Sequence, residues 1–219
     1  DGDTGTNMSL TIQTAVNELK KSEPATVGEA AKITAGALLR GARGNSGVIL
    51  SLLFRGLSKS VKGLTDMDGA QLAAAMAEGV TTAYGAVMKP AEGTVLTVSR
   101  LAAARAVEAA QENPSAEYVL EQAIAAGYET LAQTIDMNPV LKKAGVVDAG
   151  GKGYLIILDG MLRALRGEAL PQVEEDGEKD QDKADFGALS LEDITFTYDT
   201  VFIVRKRDGV DIGPYRAYL

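Results

Sequence analysis

The helical spacing of apolar residues, from about residue 8 to residue 165, limits the possible fold more than any other feature of this sequence. In the first segment, Met8, Ile12 and Leu19 lie on one helical face, whereas Lys20 lies off it. Similar patterns predict further helices over about 26–40, 46–60, 68–89, 94–112, 115–135, from Asn138-Pro139 onward, and over about 151–166. Alternating strand patterns are nearly absent from this stretch, so the sequence predicts an all-α first domain over residues 1–168.

Short polar residues predict where two of these helices begin. Thr26 is followed three residues later by Glu29, which is the arrangement of a capping box. Asp68 precedes a long alanine-rich helix and can accept hydrogen bonds from its first turn. Small residues are abundant along the helices, and we expect them to allow close packing between neighbours.

The composition changes sharply after the last helix. Residues 174–185, EEDGEKDQDKAD, contain seven acidic residues and two lysines, a local net charge of −5. Because this stretch has no apolar periodicity, we expect a flexible acidic linker over residues 169–190. A run rich in β-branched and aromatic residues follows, and it predicts the beginning of a second, β-containing domain over residues 191–219.

The absence of two residue types excludes several kinds of site. The sequence contains no cysteine and no histidine, so it offers no disulfide, zinc ribbon, thiol nucleophile or Ser-His-Asp triad. Any metal ion would need oxygen ligands. The formal net charge of −8 argues against a nucleic acid as partner. No stretch approaches the roughly 18 apolar residues of a membrane span, and we expect a cytoplasmic protein with no integral membrane segment.

The most informative motif is DGDTGTNM, at residues 1–8, which leads into the first helix. Asp1 and Asp3 are two residues apart, so their carboxylates can converge on a hard cation such as Mg²⁺. The adjoining helix N-terminus, with its hydroxyl and amide side chains, is suited to phosphate. An EF-hand is excluded, because glycine, threonine and isoleucine occupy the fifth, sixth and twelfth positions of the loop. A helix-capping turn without a ligand is the alternative, and spacing alone does not decide between the two.

A second glycine-rich motif, GARGNSG at residues 41–47, separates two predicted helices. The backbone N–H groups of such a turn, together with the Ser46 hydroxyl, can cradle a phosphate. The motif is neither a Walker A loop nor a nucleophile elbow, because it lacks their spacing. An ordinary helix–helix turn is the alternative. Arg43 is a candidate for neutralising phosphoryl charge, and a solvated guanidinium is the alternative for that residue.

A third motif, at residues 145–153, and a fourth motif, at residues 90–94, lie at predicted helix boundaries. Residues 145–153, GVVDAGGKG, contain four glycines, which permit close approach of the backbone to a ligand. Lys152 can contact a phosphate there, or it can simply be solvated. Residues 90–94, PAEGT, form a break before a helix, for which Thr94 is a candidate cap.

Taken together and in this order, four segments resemble the kinase subunits of bacterial fatty acid kinases: DGDTGTNM, GARGNSGVIL, KPAEGTVLTVSR and NPVLKKAGVVDAGGKGY. The first domain of that family is of the dihydroxyacetone-kinase L-subunit (DhaL) type, and the resemblance covers about residues 1–168. It implies an up-and-down barrel of about eight amphipathic helices, with ATP or ADP and two Mg²⁺ ions bound at one end.

Position by position, the resemblance implies that Asp1 and Asp3 are the magnesium ligands and the catalytic carboxylates. It also implies that a larger set of residues contacts the metal, the phosphates or the nucleoside: Thr4, Gly5, Thr6, Asn7, Gly44, Asn45, Ser46, Gly47, Thr94, Asp148, Ala149 and Gly150.

The implied reaction transfers the γ-phosphoryl group of ATP to the carboxylate of a fatty acid held by a separate binding protein, giving an acyl phosphate for phospholipid synthesis. The lack of histidine agrees with this, because a carboxylate acceptor is already ionised at neutral pH and needs no general base. Two alternatives are a nucleotide-binding subunit of a dihydroxyacetone-type kinase and a non-catalytic helical interaction module. The family further implies a homodimer formed through regions outside this chain.

Overall fold

A computed structural model describes residues 2–169, 209–211 and 213–214 of the chain. Within these residues the secondary structure is entirely helical, which confirms the prediction of an all-α domain. The helices are α1 (Thr4–Ser22), α2 (Val27–Gly41), α3 (Gly44–Ser60), α4 (Gly69–Ala86), α5 (Val95–Glu112), α6 (Ala116–Met137), α7 (Pro139–Ala144) and α8 (Ala149–Leu165). Most of the predicted acidic linker and β-containing domain lies outside the described residues.

Consecutive helices run up and down and pack side by side. From α1 to α6 each helix contacts the next one along the chain, and α8 contacts α1, α5 and α6, which closes the barrel. The short α7 contacts α6. Because α7 is only about 9 Å long, it does not cross the barrel, and α8 begins at the end where α6 finishes.

Contacts between glycines and neighbouring backbone allow the helices to approach closely. A Cβ atom built on Gly56 of α3 would lie 2.6 Å from the Cα atom of Gly79 in α4, and one on Gly79 would lie 2.6 Å from the Leu53 carbonyl oxygen. At these positions even alanine would force the two backbones apart. Around them is a core of leucine, valine and alanine, which includes the fully buried Leu38 and Leu155. The expectation that small residues allow close packing is confirmed here.

At one end of the barrel, the N-termini of three helices are capped by side chains. Thr26 accepts from the backbone N–H of Glu29 at 3.2 Å, and Asp68 accepts from that of Gln71 at 2.8 Å, so both predicted N-caps are confirmed. The capping box predicted at Thr26 is incomplete, because the Glu29 carboxylate accepts from the N–H of Ala25 rather than that of Thr26. Ser115 caps α6 in the same way. We call this end of the barrel, where α2, α4 and α6 begin, the capped end.

No helix among the described residues is both long enough and apolar enough to cross a membrane.

Candidate functional site

Four helices begin together at the end of the barrel opposite the capped end. They are α1, α3, α5 and α8, and their first residues belong to, or directly follow, the four motifs found in the sequence. We call this the motif end. Each helix N-terminus carries a partial positive charge of about half an elementary charge, so the arrangement favours binding of an anionic group there.

Three of the motifs form first turns of helices rather than loops before them. The sequence patterns place the starts of the helices at about Met8, Ser46 and Gly151, whereas the structure begins α1 at Thr4, α3 at Gly44 and α8 at Ala149. Glycine and threonine have low helix propensity, which hides these turns from sequence analysis. Packing against the neighbouring helices supports them instead.

The N-caps of α1 and α3 differ from those at the capped end. Within the described residues, the Asp3 side chain accepts no capping hydrogen bond from α1. The Arg43 guanidinium has no acceptor atom and therefore cannot cap α3. The backbone donors of a helix's first turn need partners from elsewhere when its N-cap side chain supplies none. An anionic ligand is a suitable partner for such donors.

The first turns of α1 and α3 lie directly against each other. The Asn7 amide donates to the Asp3 carboxylate at 2.9 Å. A Cβ atom built on Gly44 would lie 2.7 Å from the same Asn7 nitrogen, and Gly44 has a φ of +57°, which also favours glycine. The structure therefore brings the first and second motifs together.

Thr11 links these two motifs, and sequence analysis did not identify it. Its hydroxyl accepts from the backbone N–H of Arg43 at 3.0 Å and donates to the carbonyl oxygen of Asn7 at 2.6 Å. The side chain is completely buried. A Cβ atom built on Gly47 would lie 2.5 Å from the Thr11 hydroxyl oxygen. The available signal is a row of polar residues on one side of α1: those at 7, 11 and 14 face glycines at 44, 47 and 41.

Asp148 joins the starts of α5 and α8. Its carboxylate accepts from the backbone N–H of Gly151 at 2.6 Å and also from that of Val95. Burial raises the pKa of this carboxyl above its ordinary value, and the two backbone donors partly oppose that shift. The Asp148 N–H in turn donates to the buried Thr134 hydroxyl at 3.1 Å. The third motif is thus bonded to Val95, the first residue of α5, which directly follows the fourth motif.

The third motif also adjoins α1. A Cβ atom built on Gly153 would lie 2.7 Å from the Met8 sulfur, so α8 and α1 are in close contact near their first turns. Contacts therefore run from α3 to α1, from α1 to α8 and from α8 to α5, around the motif end.

A network of side chains holds the segment before α5. The Thr97 hydroxyl accepts from the Gly93 N–H at 2.9 Å and donates to the Glu92 carboxylate at 2.8 Å. Arg100 contacts the same carboxylate at 2.9 Å. The Thr94 hydroxyl donates to the Ala91 carbonyl at 2.8 Å, so its proton is already used within this segment.

The predicted site residues differ in their exposure. The exposed ones are Asp3, Gly5, Thr6, Gly44, Asn45 and Ala149. The half-buried ones are Thr4, Asn7, Ser46, Thr94 and Asp148. Gly47 and Gly150 are buried and lie against Thr11 and Val95. Asp1 lies outside the described residues.

The acidic side chains at the motif end can supply only a few of the ligands of a metal ion. Within the described residues, no group of three or more acidic side chains lies close enough to hold an ion. Asp3 is exposed, and only one of its carboxylate oxygens accepts a hydrogen bond from the described residues. Mg²⁺ usually binds through one or two protein carboxylates, completed by waters and phosphate oxygens, so this donor set fits Mg²⁺ bound together with a phosphate.

Comparison with known proteins finds a matching family for the helical domain. The sequence profile of the DAK2 domain matches residues 1–163. An uncharacterized protein of Staphylococcus haemolyticus is 44% identical over 209 residues, which cover 94% of this chain and 38% of that protein. Uncharacterized proteins from two strains of Staphylococcus aureus match with the same identity and coverage. The chain thus spans 38% of the length of these relatives.

Proposed function

Because this chain belongs to the DAK2 domain family of dihydroxyacetone-kinase-like, nucleotide-binding domains, we propose that it acts as the ATP-dependent kinase subunit of a fatty acid kinase. The acceptor would be the carboxylate of a fatty acid held by a separate binding protein, and the product an acyl phosphate. The substrate and the partner are part of the proposal, since the chain spans 38% of its relatives' length.

The observation that carries this proposal is the meeting of four helix N-termini at the motif end, beside the exposed Asp3. The N-caps of α1 and α3 make no side-chain capping bond within the described residues. Backbone donors of this kind suit the phosphates of a nucleotide. The third motif and the start of α5, which Asp148 joins, would provide the neighbouring surface for the nucleoside.

Asp3, together with Asp1, would hold Mg²⁺ against the phosphate oxygens. When bound, Mg²⁺ would neutralise phosphate charge during transfer. The residues of the chain would act mainly by positioning, which is the principal requirement of phosphoryl transfer. Arg43 is exposed at the start of α3, and the described residues offer it no ion-pair partner, so its guanidinium is suited to a transferred phosphoryl group.

The proposed reaction needs no proton acceptor. A carboxylate oxygen of the fatty acid forms a bond to the γ-phosphorus, the bond from that phosphorus to the bridging oxygen breaks, and ADP leaves. The acceptor is already ionised near pH 7. A hydroxyl acceptor, as in a dihydroxyacetone-type kinase, would benefit from a general base. That kinase is the second candidate, and the family match itself is the observation that favours it.

The reaction is tested with the full-length protein, [γ-³²P]ATP, a fatty acid and a candidate fatty-acid-binding protein. We expect labelled acyl phosphate only when all of these components are present. Label on dihydroxyacetone instead would favour the second candidate.

Nucleotide binding is tested separately by calorimetry with MgATP. Asp3→Asn should weaken binding strongly, whereas Asp66→Asn is the matched control, because Asp66 is exposed beyond the opposite end of α3. If the full-length protein did not bind MgATP, or if Asp3→Asn bound it as the wild type does, the kinase proposal would be refuted and a non-catalytic helical module favoured.

A further inference from the structure

We infer that Thr11, a buried residue outside the four motifs, is a positioning residue for the nucleotide site. It lies in the third turn of α1 and joins the first turns of α1 and α3 through a single hydroxyl group. This inference rests on the proposed function, because it assigns Thr11 a role in the binding of that same nucleotide.

The Thr11 hydroxyl uses both its donor and its acceptor capacity on the two motifs. It donates to Asn7, whose backbone belongs to the first motif, and accepts from Arg43, the N-cap of α3. The contact to Arg43 spans 32 positions of sequence. Since the hydroxyl hydrogen can serve only one acceptor, the pair of bonds fixes how α3 begins relative to α1.

The surroundings of Thr11 leave little room for another arrangement. The side chain is completely buried, and Gly47 lies so close that a Cβ atom there would be 2.5 Å from the hydroxyl oxygen. A backbone N–H left unpaired in such a place carries a substantial free-energy cost. Without the hydroxyl, we expect the Arg43 backbone to move toward water, and the first turn of α3 to move with it.

Three variants test this inference in the full-length protein. Thr11→Val removes the hydroxyl and keeps the shape, Thr11→Ala removes it with less bulk, and Thr11→Ser restores it. Thr130→Val is the matched control, because Thr130 is also buried and its hydroxyl bonds only within its own helix, to Ala126 at 2.8 Å.

Affinity for MgATP, measured by calorimetry, should fall on the order of tenfold in Thr11→Val, as is typical when a residue that orients ligand-binding groups is lost. Thr11→Ser should bind near the wild-type value, and so should Thr130→Val. Equal affinity in wild type and Thr11→Val would overturn the inference, as would a Thr11→Ser variant that folds but binds no better than Thr11→Val. If Thr11→Val did not fold, Thr11→Ala would replace it in the same comparison.

Hydrogen exchange at the Arg43 amide provides a second readout that needs no nucleotide. Exchange should be faster in Thr11→Val and Thr11→Ala, and slow in Thr11→Ser and Thr130→Val. Unchanged exchange would refute the positioning role even if affinity fell. Altered exchange in a protein whose wild type does not bind MgATP would instead show that the link exists and that the proposed function has failed.

Discussion

Replacing Gly47 by alanine should reveal how tightly α1 and α3 are joined. The new methyl group would lie 2.5 Å from the Thr11 hydroxyl oxygen and 3.4 Å from the Ala42 carbonyl carbon. Overpacking of this kind costs about 1–3 kcal/mol. Alanine recovers up to about 1 kcal/mol through its better helix propensity. We therefore expect a net loss of up to about 2 kcal/mol in the free energy of unfolding, measured by urea denaturation.

The stronger form of the prediction is a double-mutant cycle. Thr11→Ala alone leaves the Arg43 N–H unpaired and should cost about 1–3 kcal/mol. It also removes the atom with which the methyl group introduced by Gly47→Ala collides. In the double variant the collision is absent, so its free energy of unfolding should lie close to that of Thr11→Ala alone. The coupling energy should therefore be about 1–3 kcal/mol in favour of the double variant.

Additivity would refute the reasoning. If the two single losses summed to that of the double variant within about 0.5 kcal/mol, Gly47 and Thr11 would not be in close contact. A control cycle pairs Gly47→Ala with Thr130→Val. Gly47 lies against Thr11, whereas the Thr130 hydroxyl bonds only within α6. The two residues share no partner, so additivity is the expected result there.

Three further predictions concern single charged or capping residues. Asp148→Asn should remove a pH dependence of the free energy of unfolding. Burial raises the pKa of Asp148 from 3.8, so the stability of the wild type relative to the variant should fall as pH rises from about 4 through the folded-state pKa. Parallel curves of stability against pH, measured by urea denaturation, would contradict this. Arg105→Ala should return the pKa of Glu112 from about 2 toward its usual 4.5, because the hydrogen bond from Arg105 is the main cause of the lowered pKa. If an NMR titration of the variant still gave a pKa near 2, that cause would be wrong. Asp68→Ala should lower Tm, because loss of the capping box costs about 1 kcal/mol. The affinity for MgATP should stay unchanged, because Asp68 lies at the capped end. A weaker affinity would contradict the separation of the two ends.

Features that depend on nearby residues were predictable from the sequence, and features that depend on distant ones were not. The caps at Thr26 and Asp68 involve residues three positions away, and both predictions are confirmed. The order and number of the helices followed from apolar spacing for the same reason. Thr11 was missed because its partner Arg43 is 32 positions away, and a threonine on a helix has no distinctive local pattern.

The early starts of α1 and α3 could not be predicted from local sequence. Helix propensity alone disfavours a helix at residues 4–6 and at Gly44, because these positions are glycine and threonine. Both segments are nevertheless helical, because Gly44 lets α1 approach α3 closely and the Asn7 side chain of α1 contacts the first turn of α3. The individual contacts of the predicted site residues with a nucleotide remain predictions, since they depend on a ligand as well as on the fold.

The short α7 determines how much of the site can assemble at one end. A helix as long as α8, with 17 residues, spans about 25 Å, which would carry the chain to the capped end before α8 began. The third motif would then lie a barrel length away from Asp3 and Gly44. With only six residues, α7 instead turns the chain at the motif end, so that α8 begins beside α5 and α1. The Asp148 contacts with Val95 and Gly151 depend on that turn. The length of α7, rather than the composition of any one motif, is therefore what places four helix N-termini around one site.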